Sequence, residues 1–491
     1  MNLSRNLVVS AVLATGAAFV LCLYYGVPLE MSVAALIGFG VLLYFIMQAP
    51  EILLVAAMFA PQWKAYWPFN VVDRIADLTM LMVCSLVVSI IWRMFGFRVS
   101  QKWSLRKLFY GESHVLLAYM FFAAVVTFSY TYTTAPSYGG EKLLRFLFFG
   151  TLMFITPSFL VLSEKDFRRF AVIFVAFSLI QSFLLVTHLE NRTDEKADIT
   201  RIGAGWLLGM ALVLILFYRL FLDRKKQTGV YVIALPIVAV GLIASAARGP
   251  MVSAAAMALL GGAIAIHRGQ LRAMTAISVL AIFAVIGSVA FVVLRQADPT
   301  KFSAKAAELE ELSTGGSSSG SAAKRFAFYD AAVRAIPDHP LMGLGIGSWA
   351  PFYFGNDIRN YPHNLALELT FEEGLLGMGA FITFLAALGI SIGPMMRSSR
   401  FHFLVIPLMV AYCLSTSMFS GDLDDNRLIW LWAGVAIAIC RLVALRSRES
   451  IRVRRTSFIP SADRFVPSPV AYSRAQSQIP WLKPTRGAAW R

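Results

Sequence analysis

The run Tyr361-Pro-His-Asn-Leu-Ala-Leu-Glu-Leu-Thr-Phe-Glu-Glu-Gly-Leu-Leu376 places an imidazole, an amide and several carboxylates directly before an apolar stretch. His363 is the natural general base. Its ordinary pKa, about 6.5, lets it stand neutral and take a proton from an attacking hydroxyl. Pro362 predicts a helix starting there, with His363 in the first turn and the helix running on through Gly374. A helix N-terminus would lower the imidazole pKa and favour the neutral form. At about 100° per residue, Glu368 and Glu372 lie roughly 140° and 180° around such a helix from His363, so neither can orient it. Glu372 is therefore expected to hold loop structure by pairing with an arginine, and Asn364 to cap the helix.

Two arginines have the placement needed to bind an anion. Arg248, in Ser245-Ala-Ala-Arg-Gly-Pro250, joins two apolar runs and so sits in a tight hairpin at a membrane face. A charge there is either functional or an anchor that snorkels to lipid phosphate. Arg325 precedes Phe326, Tyr329, Val333 and Ile336, spaced i, i+3, i+7 and i+10, which predicts a helix packing this stripe on the membrane domain. Gly343, Gly345 and Gly347 then suggest a close backbone approach. Gly421-Asp-Leu-Asp-Asp-Asn-Arg427 clusters acids but reads as a solvated turn rather than a metal site.

The elements that must position these groups are membrane helices. Hydrophobic residues make up 58% of 491 and charged residues 15%, and the mean hydropathy is +0.67. This excludes a water-soluble globular enzyme. The fold class is an all-α polytopic membrane protein of about fourteen spans, near 6–25, 31–48, 50–66, 75–95, 114–133, 143–162, 170–189, 202–221, 229–247, 250–267, 273–294, 375–394, 402–420 and 427–445. The third, crowded by Pro50, Pro61, Lys64 and Pro68, can instead be re-entrant. The domains are then 1–294 (spans 1–11), a catalytic loop over 295–374, spans 12–14 over 375–445, and a basic tail over 446–491 that reads as disordered.

Arg and Lys concentrate in alternate short loops, among them Arg93 to Lys107, Lys165 to Arg169, Arg224 to Lys226, Arg268 with Arg272, and Arg397 with Arg400. The positive-inside rule makes these cytoplasmic, with both termini inside and the 295–374 loop outside. The net charge of +16 lies largely in these loops and the tail, which can attract anionic membrane lipid, and needs no nucleic acid. All four cysteines fall in spans and imply no disulfide or thiolate site. The segment Leu312 to Ser321 is flexible by composition and could act as a flap.

Arg325, Tyr329, Pro340, Gly343, Gly345, His363, Asn364, Leu367, Glu372, Gly374 and Gly377, with Arg248-Gly249 upstream, follow in order a pattern that resembles the O-antigen ligase/polymerase superfamily. Thr200-Arg-Ile-Gly-Ala-Gly205 is similar to that family's Arg-x-x-Gly loop but lacks the Asn-Pro-Asn that often follows. The resemblance covers about 201–377. It implies a metal-independent, cofactor-free glycosyltransferase of the bacterial inner membrane that uses a polyprenyl-pyrophosphate-linked oligosaccharide at the periplasmic face. Arg248 and Arg325 would grip the pyrophosphate bidentately, His363 would activate the acceptor, and Arg201, Tyr329, Asn364 and Glu372 would bind substrate. Flippase and chain-length regulator proteins would be its partners. Transfer to another lipid-linked repeat unit makes it a polysaccharide polymerase, and transfer to lipid A-core a ligase. A transporter or flippase is the rival of another class, although no internal repeat supports it.

Overall fold

The computed structural model describes residues 50–63, 79, 82–91, 112–161, 163–187, 195–218, 233–269, 321–397 and 404–457. The expected spans near 6–25, 31–48 and 273–294, and the serine- and glycine-rich stretch before Ser321, lie outside these residues. Every regular element described is helical. In chain order they are α1 Pro50–Trp63, α2 Met82–Ile91, α3 Ser113–Ser129, α4 Pro136–Leu160, α5 Glu164–Thr187, α6 Glu195–Phe217 and α7 Leu235–Ala244. There follow α8 Arg248–His267, α9 Ser321–Ala335, α10 Trp349–Phe354, α11 Leu365–Glu372, α12 Gly374–Arg397, α13 Val405–Ser417 and α14 Arg427–Ser457.

Among the described residues, six helices are long and apolar enough to cross a membrane: α3 extended to Tyr132, α4, α5, α8, α12, and α14 as far as Ala444. This is an all-helical, multi-pass arrangement. Helix α1 is described over the 14 residues Pro50–Trp63, within the expected third span. Leu117, Phe121, Phe183, Leu259, Ile382 and Ile390 point outward from the long helices, where hydrocarbon would meet them. Between helices lipid gives no hydrophobic drive, so packing must hold the bundle. Rings supply much of it: Tyr119 stacks on Phe154 at 4.3 Å and Phe122 on Trp430 at 5.6 Å, with Phe146 edge-on and Phe384 tilted against the same indole. Each such pair is worth about 0.5–1.5 kcal/mol.

Helix α4 begins at Pro136 rather than near 143, because Pro136 supplies a ready first helical position. Lys142 therefore belongs to the helix and not to a loop. A π turn at Phe146–Gly150 joins its two halves.

The helices run alternately between two ends. At one end Ser391 Oγ donates to Glu112 and meets His114 Nε2 at 3.0 Å, Arg268 donates to the Met396 carbonyl, and Arg441 donates to the Ser158 and Val161 carbonyls at 3.1 and 3.3 Å. At the other end gather the end of α3, the start of α4, the α7–α8 hairpin, the α13–α14 turn and the segment from Ile336 to Gly374. Cys413 and Cys440 are buried and Cys84 is exposed, and all three are free thiols.

The chain divides into two compact units, Met1–Val443 and Ala444–Arg491. In the second, helix continues to Ser457, where a disordered tail is expected from 446. Leu, Arg and Glu are good helix formers, and no proline intervenes before Pro460.

Candidate functional site

The helix expected at Pro362 starts instead at Leu365, with Asn364 as its N-cap. Asn364 Oδ1 accepts the Leu367 N–H at 3.1 Å, and Nδ2 donates to the Met418 carbonyl at 3.3 Å. His363 thus precedes the cap rather than occupying the first turn. Its φ of +58° lies in the left-handed region, a conformation that costs a non-glycine residue about 1–3 kcal/mol and persists only where its surroundings enforce it. Those surroundings are aromatic. The imidazole lies parallel to Phe328 at 6.2 Å and edge-on to Tyr361 at 4.6 Å, and the Tyr329 hydroxyl donates to the His363 carbonyl at 3.3 Å.

His363 Nδ1 is buried and has no hydrogen-bond partner among the described residues. Burial, and then the neighbouring Arg325 guanidinium, push its pKa down to about 4, against an opposing pull from Asp422. The imidazole is neutral as expected, through burial and a like charge rather than through a helix end.

Arg325 and Tyr329 reach this place on α9, but that helix buries a different face from the one its larger residues suggest. Phe328, Ala332 and Ala335 face inward with Trp349 and Phe371, while Phe326 and Val333 are 63% and 55% exposed. The two alanines let α9 lie close against its neighbours, and Phe328 joins the rings of Trp349 and Tyr353. Packing here outweighs side-chain size as a guide to the buried stripe.

The three loop glycines make the expected close approach, and what they approach is the protein's own backbone. Their φ values are +67°, +91° and +79° for Gly343, Gly345 and Gly347. A Cβ at Gly345 would stand 2.5 Å from Thr133 Cα, and one at Gly347 2.8 Å from Gly139 Cα. Leu344 N–H and Gly345 N–H donate to the Phe371 and Glu372 carbonyls at 3.0 and 2.7 Å. The loop is thereby tied along the end of α11. Gly374, at φ +68°, then breaks the chain between α11 and α12, so the single helix expected through Gly374 is two.

Glu372 does not pair with an arginine. Its Oε2 lies 2.5 Å from Lys142 Nζ, and Glu368 Oε1 lies 2.6 Å from the same ammonium, with Lys142 and Glu368 wholly buried and Glu372 at 1%. Facing protein in this way, Glu372 does not present its carboxylate to a substrate. Glu368 Oε1 also accepts the Leu423 N–H at 2.9 Å. Burial pushes Glu368 up to about 8 despite Lys142, and burial with the adjacent Glu372 raises Glu373 well above the usual carboxylate range. Removing one partner from such a cluster would strand a buried charge at a cost of about 3–5 kcal/mol.

The Asp422–Asp425 turn is not solvated as expected. Asp422 is fully buried. It accepts from the Tyr138 hydroxyl and from the Asp425 N–H. Asp425 pairs with Arg359 at 2.8 Å and Asp424 with Arg145 at 3.6 Å. The carboxylates of Asp422, Asp424 and Asp425 lie within 4.8 Å of one another, a spacing that could hold a metal ion. Their arginine and tyrosine partners give the group an equally good account as an ion-pair knot. Burial raises the pKa of Asp425 to about 6, while hydrogen bonds from Asp424 and Tyr138 and the charges of Lys142 and Arg359 outweigh burial and hold Asp422 low.

Arg248 opens α8 just after a tight turn in which Ala246 takes φ +54°, so the expected hairpin is present. A Cβ at Gly249 would stand 2.8 Å from Phe419 Cβ, and one at Gly205 2.7 Å from Ala247 Cβ. The hairpin therefore touches the residue after Met418, which Asn364 caps onto, and also touches α6 one turn beyond Arg201. Arg325, Tyr329, His363 and Asn364 form one cluster. Arg248 and Arg201 lie on elements that adjoin it, each engaged in contacts of its own. Lys142, Tyr138 and Asp422, which sequence reasoning missed, complete the polar surroundings. For Tyr138 and Lys142 the early signal was Pro136, seven residues ahead of the expected span at 143, and for Asp422 it was the acid cluster that read as a solvated turn.

A lipid-facing helical bundle that gathers a neutral buried histidine, arginines and an ion-paired carboxylate group at one end defines a multi-pass membrane protein with an enzyme-like site. Residues 233–382, under a third of the chain, match the family model described as O-Antigen ligase, in support of the resemblance to the O-antigen ligase/polymerase superfamily. The match takes in Arg248, Arg325, Tyr329, His363, Asn364 and Glu372 and leaves Arg201, Lys142 and Asp422 outside it. No curated protein matches the chain.

Proposed function

We propose that this protein polymerises lipid-linked oligosaccharide repeat units, moving the growing glycan from polyprenyl pyrophosphate to the next unit at the periplasmic face of a bacterial inner membrane. The observation that carries the proposal is His363: strained, ring-clamped and neutral, with an unpartnered Nδ1 near the Arg325 charge. The acceptor hydroxyl gives its proton to the imidazole as its oxygen bonds to the anomeric carbon, and the bond from that carbon to the pyrophosphate oxygen breaks. Arg325 and Arg248 stabilise the departing pyrophosphate, with Arg201 beside them. Tyr329 and Asn364 hold the His363 segment in place from the protein side.

Arg325 links donor binding to base strength. A histidine held near pKa 4 is available but weak, since proton transfer is best when the pKa is near the working pH. An anion on Arg325 offsets the guanidinium charge that holds the imidazole down, so the donor strengthens the base when it arrives. The orientation rests on the charge pattern: Arg168, Arg169 and Arg268 border the end of the bundle opposite the site.

The family's description as O-antigen ligase favours a second reading, transfer of the finished glycan to lipid A-core. The lipid-linked intermediates of a deletion strain decide between them. Accumulated single repeat units support the polymerase, and full-length undelivered chains support the ligase. An unchanged glycan profile overturns both and points to transport.

A further inference from the structure

We infer that Lys142 is a positioning residue for the transfer reaction: by holding Glu368 and Glu372 together it fixes α11, and so fixes His363 at the head of that helix. The inference rests on the proposed role of His363. Glu368 and Glu372 are one helical turn apart on a single face, and one ammonium lies 2.6 and 2.5 Å from them. A two-point grip of this kind sets both the rotation of a helix and its height along its axis.

Helix α11 needs such a grip. It has eight residues, well under the length at which an isolated helix holds itself, and it lies between two left-handed residues, His363 and Gly374. The first turns of α4 also hold the neighbouring segments. Ser137 and Tyr138 N–H groups donate to Asp357 at 2.7 and 3.0 Å, and the Tyr138 hydroxyl donates to Asp422. His363 thus lies on a short stretch between Asp357 and Glu368, both bound to α4. The groups around its ring are Arg325 and Phe328 from α9, Tyr361 from its own segment, and Asp422 from the α13–α14 turn, while Tyr329 of α9 holds its carbonyl. Stability alone is a poor reason to keep a wholly buried lysine here, because well-packed apolar residues commonly serve as well in place of a buried ion group.

The test uses the full chain in proteoliposomes with a lipid-linked oligosaccharide as donor and acceptor. The triple variant Lys142→Met, Glu368→Gln, Glu372→Gln removes the three groups of the grip together, while Asp422 keeps its Tyr138 hydrogen bond and the nearby Arg359 charge. The expected result is a fall in kcat of about ten- to a hundredfold with KM for the donor little changed, the scale of a misplacement near 1 Å. The acid limb of kcat/KM should also move up from about pH 4, as a displaced His363 loses its cover. A role confined to stability would lower the yield of folded protein and leave the limb in place. Wild-type kcat and limb in the folded triple variant overturn the inference. If the triple variant fails to insert, the isosteric single changes Glu368→Gln and Glu372→Gln carry the test, and wild-type kcat and limb in both overturn it. His363→Ala is measured alongside. Full activity there removes the proposed base itself, whereas loss of activity there with an unaltered triple variant removes only the grip.

Discussion

Replacing Phe328 by alanine should uncover His363 and move the acid limb of the reaction upward. Burial is the largest cause of the low pKa, and the Phe328 ring stacked at 6.2 Å provides part of that burial. With a pKa of about 4, the imidazole is roughly 97% neutral at pH 5.5, whereas an ordinary histidine near 6.5 would be only about 9% neutral. The ceiling of the effect is therefore about a tenfold loss of kcat/KM at pH 5.5, and protonation costs nothing at pH 8. Arg325 remains in the variant and still opposes protonation, so the limb should stop between the two values. The sign is fixed: less cover raises the pKa and so extends the inactive, protonated range upward. Truncating a Phe in a core typically costs about 3–5 kcal/mol, and the small size of this cluster argues for the low end. Transfer rates from pH 4 to 8.5, each divided by the rate at pH 8, remove that loss of folded protein from the comparison. The limb must be read in kcat/KM, which reports the free enzyme. In the wild type the kcat limb should lie above it, because bound donor offsets Arg325. A Phe328→Ala limb at the wild-type position would refute the assignment of burial as the cause.

Gly345→Ala should destabilise the protein by about 3 kcal/mol, since it combines a left-handed backbone with a Cβ 2.5 Å from Thr133 Cα; thermal unfolding in detergent checks this, and an unchanged midpoint contradicts it. Arg248→Lys and Arg325→Lys should fail almost as badly as the alanine variants, because an ammonium keeps the charge but not the planar fork; normal polymer length and yield in both would leave the arginines as lipid anchors. A thiol introduced at Asn356, in the exposed turn after α10, should react with an impermeant reagent from the periplasm, and one at Ser399 should not. The reverse labelling would invert the proposed orientation.

The apolar windows of the sequence became α3, α5, α8, α12 and α14 because spanning helices are set by length and hydropathy, which are local properties. The Arg248 hairpin and the meeting of Arg325, Tyr329, His363 and Asn364 were legible through ordered motifs. The inward face of α9 was not, because Ala332 and Ala335 carry no hydropathic signal strong enough to outweigh Phe326 and Val333, and the rings that draw Phe328 inward come from α10 and α11. Lys142 was hidden for a plainer reason: its partner Glu372 stands 230 residues away, and a lysine ahead of an apolar window reads as loop. A still longer separation, 284 residues from Tyr138, concealed the burial of Asp422.

The central claim is that His363 accepts the acceptor's proton, and purified His363→Ala in proteoliposomes tests it most directly. Glycan transfer from the polyprenyl-pyrophosphate donor should fall by about two to four orders of magnitude, while thermal stability falls only modestly, since the backbone strain stays and the lost contacts are those of one half-buried ring with Phe328 and Tyr361. Transfer within a few-fold of wild type, at equal amounts of folded protein, would contradict the account.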